Sequence, residues 1–139
     1  MEFRNISDRG ILFPFDDPYL TNIYIINGRD QIIVCDTGLG PDPMKHVLQL
    51  IGQIDSNKQV VVFNSHFHYD HVWGNCVFED NSIYSHELCY AKLKDEGEIA
   101  LKEYTNHMRG NVKLVLPNQM FQNHVIFEDG KIEFFYSPG

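Results

Sequence analysis

Between His66 and His71, in the run Asn64-Ser65-His66-Phe67-His68-Tyr69-Asp70-His71, the chain places three imidazoles and one carboxylate. Imidazole nitrogen suits zinc, copper, iron and nickel, and a carboxylate beside imidazoles fits zinc or iron better than a metal that prefers thiolate. In an extended backbone His66, His68 and Asp70 project to one side and Phe67 and Tyr69 to the other. His71 breaks that alternation and can turn toward a second ion, so the pattern reads as a dinuclear metal site. The competing explanation is a cluster of surface histidines. At this chain's own His and Asp frequencies the four-residue pattern arises by chance on the order of one time in a thousand, and the metal reading prevails.

The elements around the motif are those needed to present it. Gln59-Val60-Val61-Val62-Phe63 is a short, β-branched apolar run, which predicts a buried strand with the motif on the loop leaving its carboxyl end. Further strands are expected over 22–26, 31–35, 60–63, 82–84, 125–127 and 131–136. Asn27-Gly28-Arg29-Asp30 forms the turn between the first two, because Asn-Gly tolerates positive φ. Pro41-Asp42-Pro43 opens a helix running to residue 54, with Val47, Leu48, Ile51 and Ile54 at helical spacing. Ser85 is the expected N-cap of a second long helix carrying Leu88, Leu93, Ile99 and Leu101; Gly97 weakens it by about 1 kcal/mol relative to alanine and marks a break. Residues 108–123 hold Pro117 and several amides and read as a loop covering the cleft, and Glu128-Asp129-Gly130 reads as the turn of a last hairpin. Strands alternating with helices make this an α/β chain.

Composition narrows the function. The 139 residues carry a net charge of −8 with no cluster of lysine or arginine, so a nucleic-acid partner is not favoured. No stretch of about eighteen apolar residues is present, and Met1-Glu2-Phe3-Arg4-Asn5 lacks the basic and apolar regions of a signal peptide, so no membrane association and a cytoplasmic location are expected. Cys35, Cys76 and Cys89 show no paired spacing and read as buried thiols in a reducing compartment. His46 reads as a surface or interface residue, His107 and His124 as incidental, and Trp73 as a packing residue or a pocket wall. His86, at the start of the second helix, lies where it can approach the motif.

The His-x-His-x-Asp-His pattern after a hydrophobic strand, followed by Trp73-Gly74-Asn75, resembles the metallo-β-lactamase-fold hydrolases. Thr21-Asn22-Ile23-Tyr24-Ile25-Ile26 and Ile32-Ile33-Val34-Cys35-Asp36-Thr37-Gly38 resemble that family's early hairpin and Asp-Thr-Gly turn. Phe134-Phe135-Tyr136-Ser137-Pro138-Gly139 resembles the strand and turn that lead to its next ligand histidine. The resemblance implies a metallo-β-lactamase-like αββα sandwich, of which residues 1–139 cover the first half and the start of the second as the N-terminal part of one domain. It assigns His66 and His68 to one ion and Asp70 and His71 to the other, with zinc as the cofactor, two per complete site, and iron or manganese as alternatives. The family's remaining ligands have no counterpart here, and two protein ligands per ion make a weak site. Asp36 reads either as a turn residue satisfying its own backbone or as an acceptor that orients a ligand imidazole, and the resemblance favours the second role.

The implied activity is hydrolysis of a small-molecule ester, lactone, thioester, β-lactam or phosphodiester by a metal-activated water, with Asp70 as the catalytic residue that also holds an ion. This chain alone is expected to be inactive or weakly active. The alternative is a catalytically inert fragment that binds metal or self-associates; an iron-dependent redox role ranks lowest, since both His66 and His68 are histidines. A lone first half exposes one sheet face, which predicts a homodimer or association with a complementary C-terminal part.

Overall fold

A computed structural model describes residues 2–54, 57–128 and 131–138. Seven strands form one sheet in chain order: β1 (Arg4–Ile6), β2 (Gly10–Phe15), β3 (Thr21–Asn27), β4 (Gln31–Cys35), β5 (Gln59–Phe63), β6 (Ser82–His86) and β7 (Gln119–Phe121). β1 to β4 are antiparallel hairpin neighbours, whereas β4 to β7 run parallel. Parallel neighbours need crossovers. These are α1 (Pro41–Gln53) before β5, the short helix α2 (Tyr69–Val72) with a 3₁₀ segment (Trp73–Phe78) before β6, and α3 (Glu87–Glu103) before β7. β8 (His124–Phe127) and β9 (Ile132–Phe135) form a separate two-stranded sheet.

The strand residues sort by period two onto the two faces of the large sheet. Ile23, Ile25, Ile32, Val34 and Val62 pack with Met44 and Val47 of α1, while Ile33 and Val61 pack with Phe127 and Ile132 of the last hairpin. The centre of the sheet is therefore covered on both sides, which is why its strands read as nearly continuous apolar runs. A helix layer, the seven-stranded sheet and a second-sheet hairpin make the mixed α/β arrangement expected, with three of its layers among the described residues.

Several expectations need correction. β1 and β2 lie outside the strands expected from the sequence; β2 tolerates Pro14 because β1 pairs only with residues 10–12, so Pro14 lies where one flank of β2 is unpaired. Leu48 is 41% exposed and lies off the core stripe of α1. Ser85 is the penultimate residue of β6, and the N-cap of α3 is His86, whose Nδ1 accepts from the Leu88 N–H. α3 runs unbroken through Gly97; a Cβ there would come within 2.9 Å of Leu114, so the glycine admits a crossing segment rather than ending a helix. That segment, expected as a cleft cover, instead packs Val112, Leu114 and Leu116 against Trp73 and Leu93 and ends in the edge strand β7.

The turn between β3 and β4 is built differently from the expectation. Gly28 is not left-handed. Its missing Cβ leaves room for the Glu128 carboxylate, which accepts from the backbone N–H groups of Arg29 (2.8 Å), Asp30 (2.8 Å) and Gln31 (3.1 Å). Asp129 and Gly130, expected to complete the last turn, lie outside the described residues. Burial works against ionised Glu128, but the three backbone donors outweigh it and hold its pKa below the ordinary carboxylate value. Since the folded pKa is depressed, the stabilisation is present above the unfolded value and disappears as pH falls through the folded one. Glu128→Gln is expected to cost about 1–3 kcal/mol at neutral pH and to flatten the loss of stability below about pH 4.5, read by urea denaturation across pH.

Candidate metal centre

The register between β4 and β5 builds the site. Cys35 pairs with Phe63, which sets Asp36 beside Asn64 and Ser65 at the carboxyl ends of adjacent parallel strands. Asp36 leaves β4 with φ 67°, a left-handed conformation that aspartate tolerates better than most residues. Its N–H donates to the Phe63 carbonyl (2.7 Å), and its carboxylate turns toward the motif instead of its own backbone: Oδ1 accepts from the Ser65 N–H at 2.7 Å.

Asp36 Oδ2 is shared by two chains of hydrogen bonds. It accepts from Ser65 Oγ at 2.6 Å and from His71 Nδ1 at 2.7 Å. A carboxylate only accepts, so His71 carries its proton on Nδ1 and keeps a lone pair on Nε2. The Ser65 hydroxyl spends its single proton on Asp36, so the 3.0 Å contact with His66 Nδ1 requires that ring to donate as well. Both imidazoles are thereby set with Nε2 as the outward donor atom, the tautomer a metal ligand needs. Ser65 was not singled out from sequence, and no spacing rule would have found it.

The rings converge. His66 lies 4.0 Å from His71 and 4.8 Å from His68 between centroids, and His71 Nε2 is 3.7 Å from Asp70 Oδ1. Strict alternation ends at Tyr69, where the backbone enters α2 and one helical turn swings His71 back over His66. Among the described residues, no three His, Cys, Asp or Glu side chains close on one point as a ready metal cage. The donor chemistry and the set tautomers fit a metal, but as pairs that need further donors. Burial, and then the neighbouring His71, hold the pKa of His66 below the imidazole norm. At His71 burial acts in the same direction, but the hydrogen bond and charge of Asp36 outweigh it and hold the ring above the norm.

A buried polar web fastens the motif from beneath. Thr37, Asn64 and Asn75 are each at most 1% exposed. Asn64 and Asn75 exchange amide hydrogen bonds (3.0 and 2.8 Å), Thr37 Oγ1 donates to Asn75 Oδ1 (2.9 Å), and Asn75 Nδ2 also donates to the Val115 carbonyl (3.0 Å). The Thr37 N–H donates to the carbonyl of His71 (2.9 Å), so the web reaches a candidate ligand.

The other histidines are engaged elsewhere. Both nitrogens of His86 serve backbone groups, Leu88 N–H at Nδ1 and the Gln122 carbonyl at Nε2, although the ring shares a cavity of about 390 Å³ with Ser65 and His66. His107 Nδ1 accepts from the Tyr69 hydroxyl (2.9 Å), His124 pairs with Glu133 (3.0 Å), and His46 is exposed. Trp73 is 1% exposed and packs on Tyr69. All three cysteines are free thiols; Cys89 is buried, and Cys35 and Cys76 are partly so. Burial raises the pKa of both Cys35 and Cys89, the latter to about 11, so neither is a ready thiolate.

A mixed sheet that presents histidines and an aspartate at the ends of parallel strands is the arrangement of a known class. The family profile of the metallo-beta-lactamase superfamily matches residues 16–135, and the chain belongs to that superfamily. Solved structures with the same fold include the TMB-1 metallo-beta-lactamase (TM-score 0.71, 17% identity), the DIM-1 metallo-beta-lactamase exposed to ceftazidime (0.70, 16%) and a metallo-beta-lactamase from Pontibacter korlensis (0.67, 19%). The matches cover 97%, 97% and 95% of this chain, but 58%, 58% and 57% of those proteins. Among curated proteins none matches the chain by sequence. Among the described residues no helix is long and apolar enough to cross a membrane.

Proposed function

We propose that the chain supplies the histidine-aspartate face of a metal-dependent hydrolase of the dinuclear zinc type. The observation that carries this reading is the shared Asp36 carboxylate, which turns the Nε2 lone pairs of His66 and His71 outward. His66 and His68 would hold one ion and Asp70 and His71 the other, each pair completed by donors that the described residues do not supply. Bound there, a divalent ion contributes Lewis-acid polarisation of a scissile carbonyl or phosphoryl oxygen and lowers the pKa of water toward neutrality. The protein's own part is orientation: Asp36 and Ser65 hold the rings, and the Asp70 carboxylate would hold an ion and accept a hydrogen bond from a water beside it. Substrates of the class are esters, lactones, thioesters, β-lactams and phosphodiesters.

Superfamily membership and the free thiols support an enzyme of the reducing cytoplasm. Ile126 and Phe135, 48% and 66% exposed on the last hairpin, support association of that sheet with a second copy or a complementary part of the fold. A second reading is a catalytically inert module that binds metal or self-associates, and the exposed Ile126 and Phe135 favour it.

Metal content by plasma mass spectrometry decides the first point: about one or two zinc ions per chain are expected, lost in His66→Ala/His68→Ala. A metal-free chain, or one whose metal survives that substitution, overturns the proposal. Bound metal with no turnover of ester and phosphodiester reporters, even after the chain is combined with a complementary C-terminal part of the fold, selects the second reading.

A further inference from the structure

Between the motif and α3 lies a cavity of about 580 Å³, a size that takes a small molecule. One wall is aromatic and held in place. Tyr69 stacks on Tyr104 (centroids 4.3 Å apart, planes 13° apart) and packs against Trp73 (4.8 Å). The Tyr69 hydroxyl accepts from Tyr19 at 3.1 Å and donates to His107 Nδ1 at 2.9 Å, so this ring presents only hydrocarbon and π surface to the cavity. Tyr19 itself is brought over the motif by its loop, which Arg109 anchors through paired hydrogen bonds to Asp17 (3.0 and 3.1 Å).

Acidic groups predominate around that wall, and His68, a candidate metal ligand, lines it as well. Asp70, Glu96 and Glu103 line the cavity and neither lysine nor arginine does. Lys92 lies outside it, 3.6 Å from Glu96 and 5.9 Å from the centre of the Phe67 ring, and so offsets one of the three carboxylates. Asp70 is claimed by the metal in the reading above. Glu103 makes no ion pair among the described residues and lines the cavity together with Tyr104, the residue that follows it at the end of α3 and is 39% exposed. An aromatic face next to an unpaired carboxylate attracts a cation through the ring quadrupole and through charge at once, and repels an anion. The chain's net charge of −8 works in the same direction.

We propose that this cavity receives a positively charged, apolar-bodied group, an alkyl- or arylammonium end of a small molecule, over Tyr104 and beside Glu103. Calling that molecule the substrate rests on the metal-hydrolase reading; the binding itself does not. It sets this chain's preference within the class toward substrates with an ammonium group on the α3 side and away from those that carry a carboxylate or phosphate there.

Trp73 is the chain's single tryptophan and touches the cavity, so its emission reports occupancy. The whole chain, stripped with chelator so that the metal question is separated, is titrated with benzyltrimethylammonium, benzyl alcohol and benzoate, and saturation-transfer NMR on the same samples gives a second readout of contact. The ammonium probe is expected to quench saturably, at least tenfold more tightly than benzoate, with the alcohol between. Glu103→Lys should erase that preference, Glu103→Gln should reduce it, and Tyr104→Leu should weaken the ammonium probe while sparing the alcohol. Benzoate binding as well as the ammonium, a preference unchanged in Glu103→Lys and Tyr104→Leu, or no saturable contact by either readout overturns the proposal. Binding without metal in the intact chain would leave the cavity assignment standing even if the hydrolase reading fell.

Discussion

Asp36→Asn is expected to weaken metal binding by roughly 10- to 100-fold while leaving the chain folded. Asparagine tolerates the φ of 67° at this position, so the backbone has no new reason to move. What changes is the acceptor count. One oxygen of the carboxylate receives the Ser65 N–H and the other receives both Ser65 Oγ and His71 Nδ1. An amide keeps one acceptor oxygen and turns an NH₂ toward donors on its other side, so at least one of these bonds becomes a donor facing a donor. His71 loses the hydrogen bond that keeps its proton on Nδ1, and Ser65 loses the partner that makes it an acceptor for His66. Ser65→Ala removes only the second link and should cost less. Because that link runs through Asp36, the double variant should bind metal no worse than Asp36→Asn alone. Competition against a chromophoric chelator, with circular dichroism to confirm folding, measures all three. Additive losses would show that the two rings are set independently and would remove Asp36 from the centre of the design.

Much of this frame was legible because its signals are local. Residues 31–35 and 59–63 are apolar runs whose burial on both faces leaves no alternative partner, and the four candidate ligands are nearly contiguous, so any fold of that loop brings them together. Where the reading failed, the deciding partner is distant in sequence. Gly97 looks like a helix breaker until Leu114 occupies the space its side chain would need, and Gly28 looks like a left-handed turn residue until Glu128 arrives a hundred residues later. Pro14 speaks against a strand locally but lies beyond the reach of the short β1. Ser65 and Asn75 are common residue types with no pattern of their own. Their roles exist only once the β4–β5 register and the 3₁₀ segment after the motif are in place. The alternation along the motif ends at Tyr69 for a local reason: four residues there take up a helical turn, which sets the His71 ring 4.0 Å from that of His66.

The largest stability effect should come from a residue that touches no metal and no substrate. Asn75 is fully buried and joins four hydrogen bonds, two with Asn64, one from Thr37 and one to the Val115 carbonyl. In Asn75→Leu the Thr37 hydroxyl keeps a longer alternative at the His71 carbonyl (3.3 Å), but the Asn64 amide loses both of its side-chain partners in a place without access to solvent. A buried polar group left unpaired costs about 1–3 kcal/mol, and two or three are orphaned here, so a loss of roughly 3–5 kcal/mol is expected, a large share of a typical domain's stability. The penalty belongs to the orphaned partners more than to the missing bonds. Asn64→Leu/Asn75→Leu, which removes both ends of the exchanged pair, should therefore be less destabilised than the sum of the two single variants by 1 kcal/mol or more. Urea midpoints for the four proteins give that coupling directly. A single-variant cost below about 1 kcal/mol would mean the web is decorative, and the position of His71 would then have to rest on α2 alone.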